Sequence, residues 1–246
     1  MARLHSAAAA SLRKHVPQSR LAEAAFELAL ETLDTPLLHH SLRTFLFAKW
    51  IADREGSTYG DQGLDSLFVA CLFHDFGATE EHNHSERFEV CGADAAVTFL
   101  RGFSHPQAQS GTDYDDAEAV EDGSSAPTLS DSQIWDIWAA IALHTSPGIA
   151  ERIHPLVRLV RLGVLLDFGK ARRAQFSAHD YGNQIEAEVP RLEIEKVLGD
   201  AVVQQAVSKK DPVARREKAP ATSWAGVLLR SHLEDPTWDG VNRAFG

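Results

Sequence analysis

The sequence predicts an all-α protein folded as one helical domain. Apolar residues recur three and four positions apart along most of the chain, which puts them on single helix faces. No segment shows the strict alternation or repeated turns of a sheet protein. Gly and Pro fall between the periodic stretches, where helices stop and start.

Residues 1–19 read as an N-terminal extension. The first acid is Glu23, while Arg3, Arg13, Lys14 and Arg20 precede it among Ala and Ser. That composition overlaps organelle transit peptides; the plainer reading is a frayed helical lead-in on a cytoplasmic protein. The stretch 20–33, RLAEAAFELALETL, predicts the first helix. A second follows Pro36 and stops near Gly56, and a third covers 64–75. A fourth covers 89–102 and ends near Gly102. An acidic insert near 104–130 comes next. Ser130 or Asp131 then caps a helix running through Thr145, which Pro147-Gly148 terminates. Residues 155–169 form another, with Pro155 at its start and Gly169 past its end. Beyond 180 the pattern weakens to two or three helices and a polar link at 208–221. This C-terminal third is expected to wrap the core, so that 20–246 make one domain.

Composition narrows the function. At 246 residues and 44% apolar, the chain can fill a sizeable core. No stretch approaches the roughly 20 apolar residues of a membrane span. Two cysteines, Cys71 and Cys91, make no disulfide framework, which suits a reducing compartment. Residues 111–132 hold seven acids and no Lys or Arg, so of the net charge of −11 only −4 belongs to the rest. The acidity therefore sits mainly in a solvated loop. There is no basic footprint for nucleic acid.

Four stripes end in polar groups. They run His40, Thr44, Phe47, Ile51; Leu64, Leu67, Cys71, His74; Ile134, Ile137, Ile141, His144; and Leu156, Val160, Gly163, Asp167. Asp75 adjoins His74 at a helix end. A lone histidine on an apolar face is usually a hydrogen-bonded core residue. Five polar groups closing four stripes are a different matter, because buried charges are paired or coordinate a metal. Imidazole with carboxylate suits zinc, iron or manganese.

A first His, a later His-Asp pair and a distant Asp resemble the HD-domain superfamily of metal-dependent hydrolases. The words HHSLRTFLFA (39–48), FHDFGAT (73–79), RFEVCGADAA (87–96), IWAAIALHTSPGIAER (137–152), VRLGVLLDFG (160–169) and PATSWAGVLLR (220–230) are similar to its cyanamide hydratase branch. The resemblance implies an HD-type helical bundle. It implies one zinc, with iron or manganese able to replace it, held by His40, His74, Asp75 and Asp167. It also implies hydration of cyanamide, or a similar small nitrile, to urea by a metal-activated water.

Around that set, His144 and Thr145 are expected to bind substrate and handle protons, and Phe76 to wall an apolar pocket with Phe47 and Phe73. The plainer reading of His144 and Thr145 is hydrogen bonding at a helix C-terminus, where a His also suits the dipole. His39 competes with His40. Arg43 is either an orienting group or a surface cation. Glu89 and Asp94 are expected to anchor their segment, Trp135 and Trp138 to pack, and His82, His84 and His105 to be loop residues. Two other chemistries stay open: a nucleotide phosphohydrolase, whose cationic clamps would have to come from Arg43 and Arg87, and a di-iron oxygenase using the extra histidines. The expected partner is a small molecule, without nucleic acid or membrane; a homo-oligomer is a mild expectation.

Overall fold

The computed structural model describes residues 10–104 and 129–245. Most of the acidic insert, with His105, and the first nine residues of the proposed transit segment lie outside the described residues. Among the described residues there are α-helices and short 3-10 turns and no strand.

The centre of the fold is the most apolar segment. Helix α3, Leu64–Phe73, is apolar all round, and every residue from Ser66 to Phe73 is buried, as a core helix requires. Four neighbours surround it in chain order: α1 (Arg20–Thr32), α2 (Thr35–Glu55), α4 (Phe88–Ser104) and α5 (Asp131–Leu143). After the short α6 (Ala150–Ile153), α7 (Pro155–Phe168) closes the ring by packing on α2, α3 and α5. Local signals set the ends. Ser19 accepts from the amide of Ala22 at the start of α1. Ser130 and Gln133 form a reciprocal capping box on α5. Gly56, at φ 63°, ends α2 in the left-handed region.

Each polar stripe end is buried: His40 0%, His74 0%, Asp75 1%, His144 2% and Asp167 1% exposed. Helix α3 was expected to run through Asp75 but ends at Phe73. His74 stays helical in backbone, Asp75 leaves the helix at φ −109°, and a 3-10 turn follows over Phe76–Ala78. The chain breaks there because the turn drives into α4: a Cβ on Gly77 would lie 1.8 Å from the carbonyl of Phe88.

The C-terminal third is more helical than its weak periodicity predicts. It contains α8 (Lys170–Phe176), α9 (His179–Glu188), α10 (Ile194–Val207), α11 (Pro212–Lys218) and α12 (Trp224–Glu234). Helix α11 replaces the expected polar link. Asp211 caps it by accepting from the amides of Val213 and Ala214, with Pro212 in the first turn. Helices α9 and α10 lie on α2, and Gln205 of α10 donates to the carbonyls of Gly77 and Thr79 at 2.9 and 3.2 Å. No described helix is long and apolar enough to cross a membrane.

Helices α2 and α7 meet through Gly163, where an added Cβ would stand 2.4 Å from the carbonyl of Thr44. Gly163→Ala should therefore cost about 1–3 kcal/mol by overpacking. At roughly 2–4 °C per kcal/mol, circular dichroism melts should show a clear fall. An unchanged melting temperature would mean that the two helices separate here without loss.

Candidate metal centre

Three side chains from two helices converge beside α3's C-terminus. His40 comes from the second turn of α2, and His74 and Asp75 follow α3. Their ligating atoms lie within 4.8 Å of one another, all buried. His40 Nε2 and His74 Nε2 are 3.1 Å apart. Asp75 Oδ2 lies 3.1 Å from His74 Nε2 and 3.4 Å from His40 Nε2. A tetrahedron with metal–ligand bonds of about 2.0–2.1 Å has edges of about 3.3 Å, so this triangle has the size of one face.

Hydrogen bonding explains why these atoms face each other. His74 Nδ1 donates to the carbonyl of Cys71 at 2.7 Å. His40 Nδ1 donates to Asp167 Oδ2, also at 2.7 Å. With both Nδ1 atoms committed as donors, both Nε2 atoms carry lone pairs. Two lone pairs and a carboxylate oxygen then share one small space, and Asp75 Oδ2 has no hydrogen-bond partner. Such a buried arrangement is unfavourable unless a cation occupies its centre. Burial pushes the His40 imidazole down. Burial pushes His74 down as well, but the adjacent Asp75 carboxylate outweighs it and lifts the ring above its ordinary value.

Asp167, expected among the ligands, lies outside this triangle and stands behind His40. Arg43 donates to both its oxygens, Nε to Oδ1 at 2.7 Å and Nη2 to Oδ2 at 2.8 Å. Arg191 adds a longer bond to Oδ1 at 3.3 Å and one to the backbone carbonyl at 2.7 Å. Arg173 donates to the same carbonyl at 3.0 Å. Burial alone would raise the Asp167 carboxyl; the bonds from His40 and Arg43 outweigh it and hold the group well below the usual carboxylate range. Arg43 is fully buried, so of its two readings the surface cation is excluded. His39 instead bonds the carbonyl of Pro190 through Nδ1.

His144 and Thr145, just past α5, border the triangle. His144 Nδ1 donates to the carbonyl of Ile141 at 2.7 Å, which turns Nε2 toward Asp75 Oδ1 at 3.6 Å. Burial, with the nearby His74 charge, lowers His144 to about 4. Thr145 donates its hydroxyl proton to the buried Glu89 at 2.5 Å, and Arg87 pairs with Glu89 at 2.6 Å. His40, His74, Asp75, His144 and Thr145 all open onto one cavity of about 220 Å³. Its aromatic walls are Phe168, Trp224 and Phe245. Phe76 is not among them: it turns away and stacks on Phe73 at 4.0 Å.

His82 and His84 line a different cavity, with Cys91, Asp94 and Phe99. Among the described residues, no second cluster of potential ligands is close enough to share an ion. Asp94 accepts from the indole of Trp138, which stacks on Trp135. Sequence reasoning missed Arg173 and Arg191, which lie in the weakly periodic third. It also missed Phe168, although this residue directly follows Asp167 and its ring lies 4.5 Å from that of His40.

Ligation requires unprotonated Nε2 atoms on His40 and His74, so protons compete with the metal. Zinc affinity measured by chelator competition should therefore fall as pH drops. His74→Ala and Asp75→Asn should each abolish stoichiometric binding in equilibrium dialysis. Retention of one zinc per chain by either variant would place the ion elsewhere.

No curated protein matches this chain. The sequence model of the HD domain family matches residues 37–163. That span contains His40, His74, Asp75 and His144, and it ends four residues before Asp167. It covers more than half of the chain. The chain belongs to the HD-domain family of metal-dependent hydrolase-type enzymes, and His40, His74 and Asp75 form its candidate divalent-metal site.

Proposed function

We propose that the protein hydrates a small nitrile, cyanamide being the first candidate, to the corresponding urea or amide. The observation that carries this reading is the cavity beside the triangle. At about 220 Å³ it is smaller than the roughly 300–1,000 Å³ of ordinary ligand pockets. Its walls include Val164, Leu165, Phe168 and Leu198, and among the described residues the one Lys or Arg lining it is Arg161. That guanidinium is already engaged by Glu151 and by the carbonyl of His144. A nucleotide would need more room and free cationic clamps. A small, neutral, linear molecule needs neither. The resemblance of the words around 39–48, 137–152 and 220–230 to the cyanamide hydratase branch supports the same substrate class.

His40, His74 and Asp75 would hold the ion, which when bound acts as a Lewis acid and makes water acidic enough to lose a proton near neutral pH. The remaining work falls to the chain's own groups. His144 is neutral at pH 7 because burial lowers it to about 4. With Nδ1 committed to Ile141, its Nε2 lone pair can accept the proton of the attacking water. As the carbon–oxygen bond forms, one π pair of the nitrile moves to nitrogen. His144 returns the proton to that nitrogen, and tautomerisation of the imidic acid gives the amide. Thr145, fixed by Glu89 and Arg87, can orient the substrate with its hydroxyl oxygen.

The zinc-loaded protein should convert cyanamide to urea. His144→Ala should retain its metal and lose turnover by about 10²–10⁴-fold, the scale of general acid–base catalysis. Release of phosphate from nucleotides, with no urea from cyanamide and no amide from other small nitriles, would overturn the proposal.

A further inference from the structure

We propose that Cys91 and Lys218 form a redox-sensitive pair, in which a hydroperoxide oxidises the thiol and the lysine nitrogen traps the product as a covalent sulfur–nitrogen cross-link. The proposal depends neither on the metal centre nor on the substrate it serves.

Two elements distant in sequence build the pair. Cys91 lies in the first turn of α4, and Lys218 ends α11. Each is only 3% exposed, and Lys218 Nζ stands 4.0 Å from Cys91 Sγ. A buried ammonium is costly without a counter-charge. Among the described residues, none gives Lys218 one. Glu86 and Glu89 attract it from a distance and Lys209 repels it, and Glu89 is already held by Arg87 and Thr145. Its oxygen partner is the carbonyl of His84, at 3.1 Å. Burial therefore pushes the Lys218 amine below its ordinary value, which favours the neutral, nucleophilic form.

The sulfur has a route to small reagents. Cys91 lines a cavity of about 760 Å³ with Glu81, His82, His84 and Asp94. Its own proton goes to the carbonyl of Glu86, 3.5 Å away. The other cysteine, Cys71, is fully buried within α3. It lines neither this cavity nor the one at the metal centre. The partner at hand for an oxidised Cys91 is thus a nitrogen and not a second thiol.

The chemistry closes without further reagents. The thiolate attacks the peroxide: an S–O bond forms, the O–O bond breaks, sulfur gives up two electrons, and with hydrogen peroxide the leaving oxygen becomes water. The sulfenic acid so formed can condense with nitrogen to a sulfenamide. Nζ attacks sulfur, the S–N bond forms as the S–O bond breaks, and hydroxide leaves with a proton from nitrogen as water. The joined pair is lighter by two hydrogens, about 2 Da.

Hydrogen peroxide added to the full chain tests this, read by peptide mass mapping with and without dithiothreitol. The parent protein should yield the Cys91 and Lys218 peptides joined, two hydrogens lighter than their sum and separated again by dithiothreitol, with Cys71 unmodified. Lys218→Met should lose the cross-link and leave a sulfenic acid at Cys91 that dimedone labels. Cys91→Ser should give neither product. The decisive reading comes from the parent, so a variant that fails to fold does not weaken the test. An unmodified Cys91, its sulfinic or sulfonic acid without a joined peptide, a joined pair that keeps the oxygen, or Cys71 oxidised as readily as Cys91 would each overturn the proposal.

Discussion

The bond between His40 and Asp167, locked by Arg43, is the constraint on which the rest of the site depends. All three side chains are fully or almost fully buried, where an unpaired charge would be very costly. Removing one partner of such a group typically costs about 3–5 kcal/mol, so the fold holds the three together or not at all. Their positions on α2 and α7 explain the close approach at Gly163. Their further bonds to Val189 and Pro190 explain why a polar, weakly periodic segment lies fixed against the core.

From that anchor the chemistry follows in order. Asp167 dictates which nitrogen of His40 carries the proton, as the carbonyls of Cys71 and Ile141 do for His74 and His144. Three imidazoles thereby present Nε2 toward one carboxylate, Asp75. His40 and His74 approach closely enough to share an ion. His144 lies 3.6 Å from the second oxygen of Asp75 and lines the same cavity. One side-chain acceptor and two backbone carbonyls thus set the orientation of all three rings.

Much of this was legible in the sequence because helical periodicity reports direction. The stripes ending at His40, His74, His144 and Asp167 point inward, and each end group is buried. Periodicity reports no distances between helices. It could not say that Asp167 would meet His40 Nδ1 and the Arg43 guanidinium. The arginines around it were hidden for a related reason. Arg191 follows a proline, next to residues Leu192 and Glu193 at positive φ, where no helical phase exists to read. Phe76 was expected to wall the pocket with Phe47 and Phe73. The turn forced by Gly77 against Phe88 sends its ring the other way, onto Phe73. Helix α11 was unreadable as anything but a link, since its cap and its buried Lys218 carry no apolar pattern.

The central claim is that one divalent ion sits between His40, His74 and Asp75. Anomalous scattering at the zinc edge from a crystal of the zinc-loaded protein tests it most directly. The account predicts one strong peak inside that triangle, bonded to His40 Nε2, His74 Nε2 and Asp75. A peak away from the triangle, or none at full zinc occupancy of the solution, would contradict it.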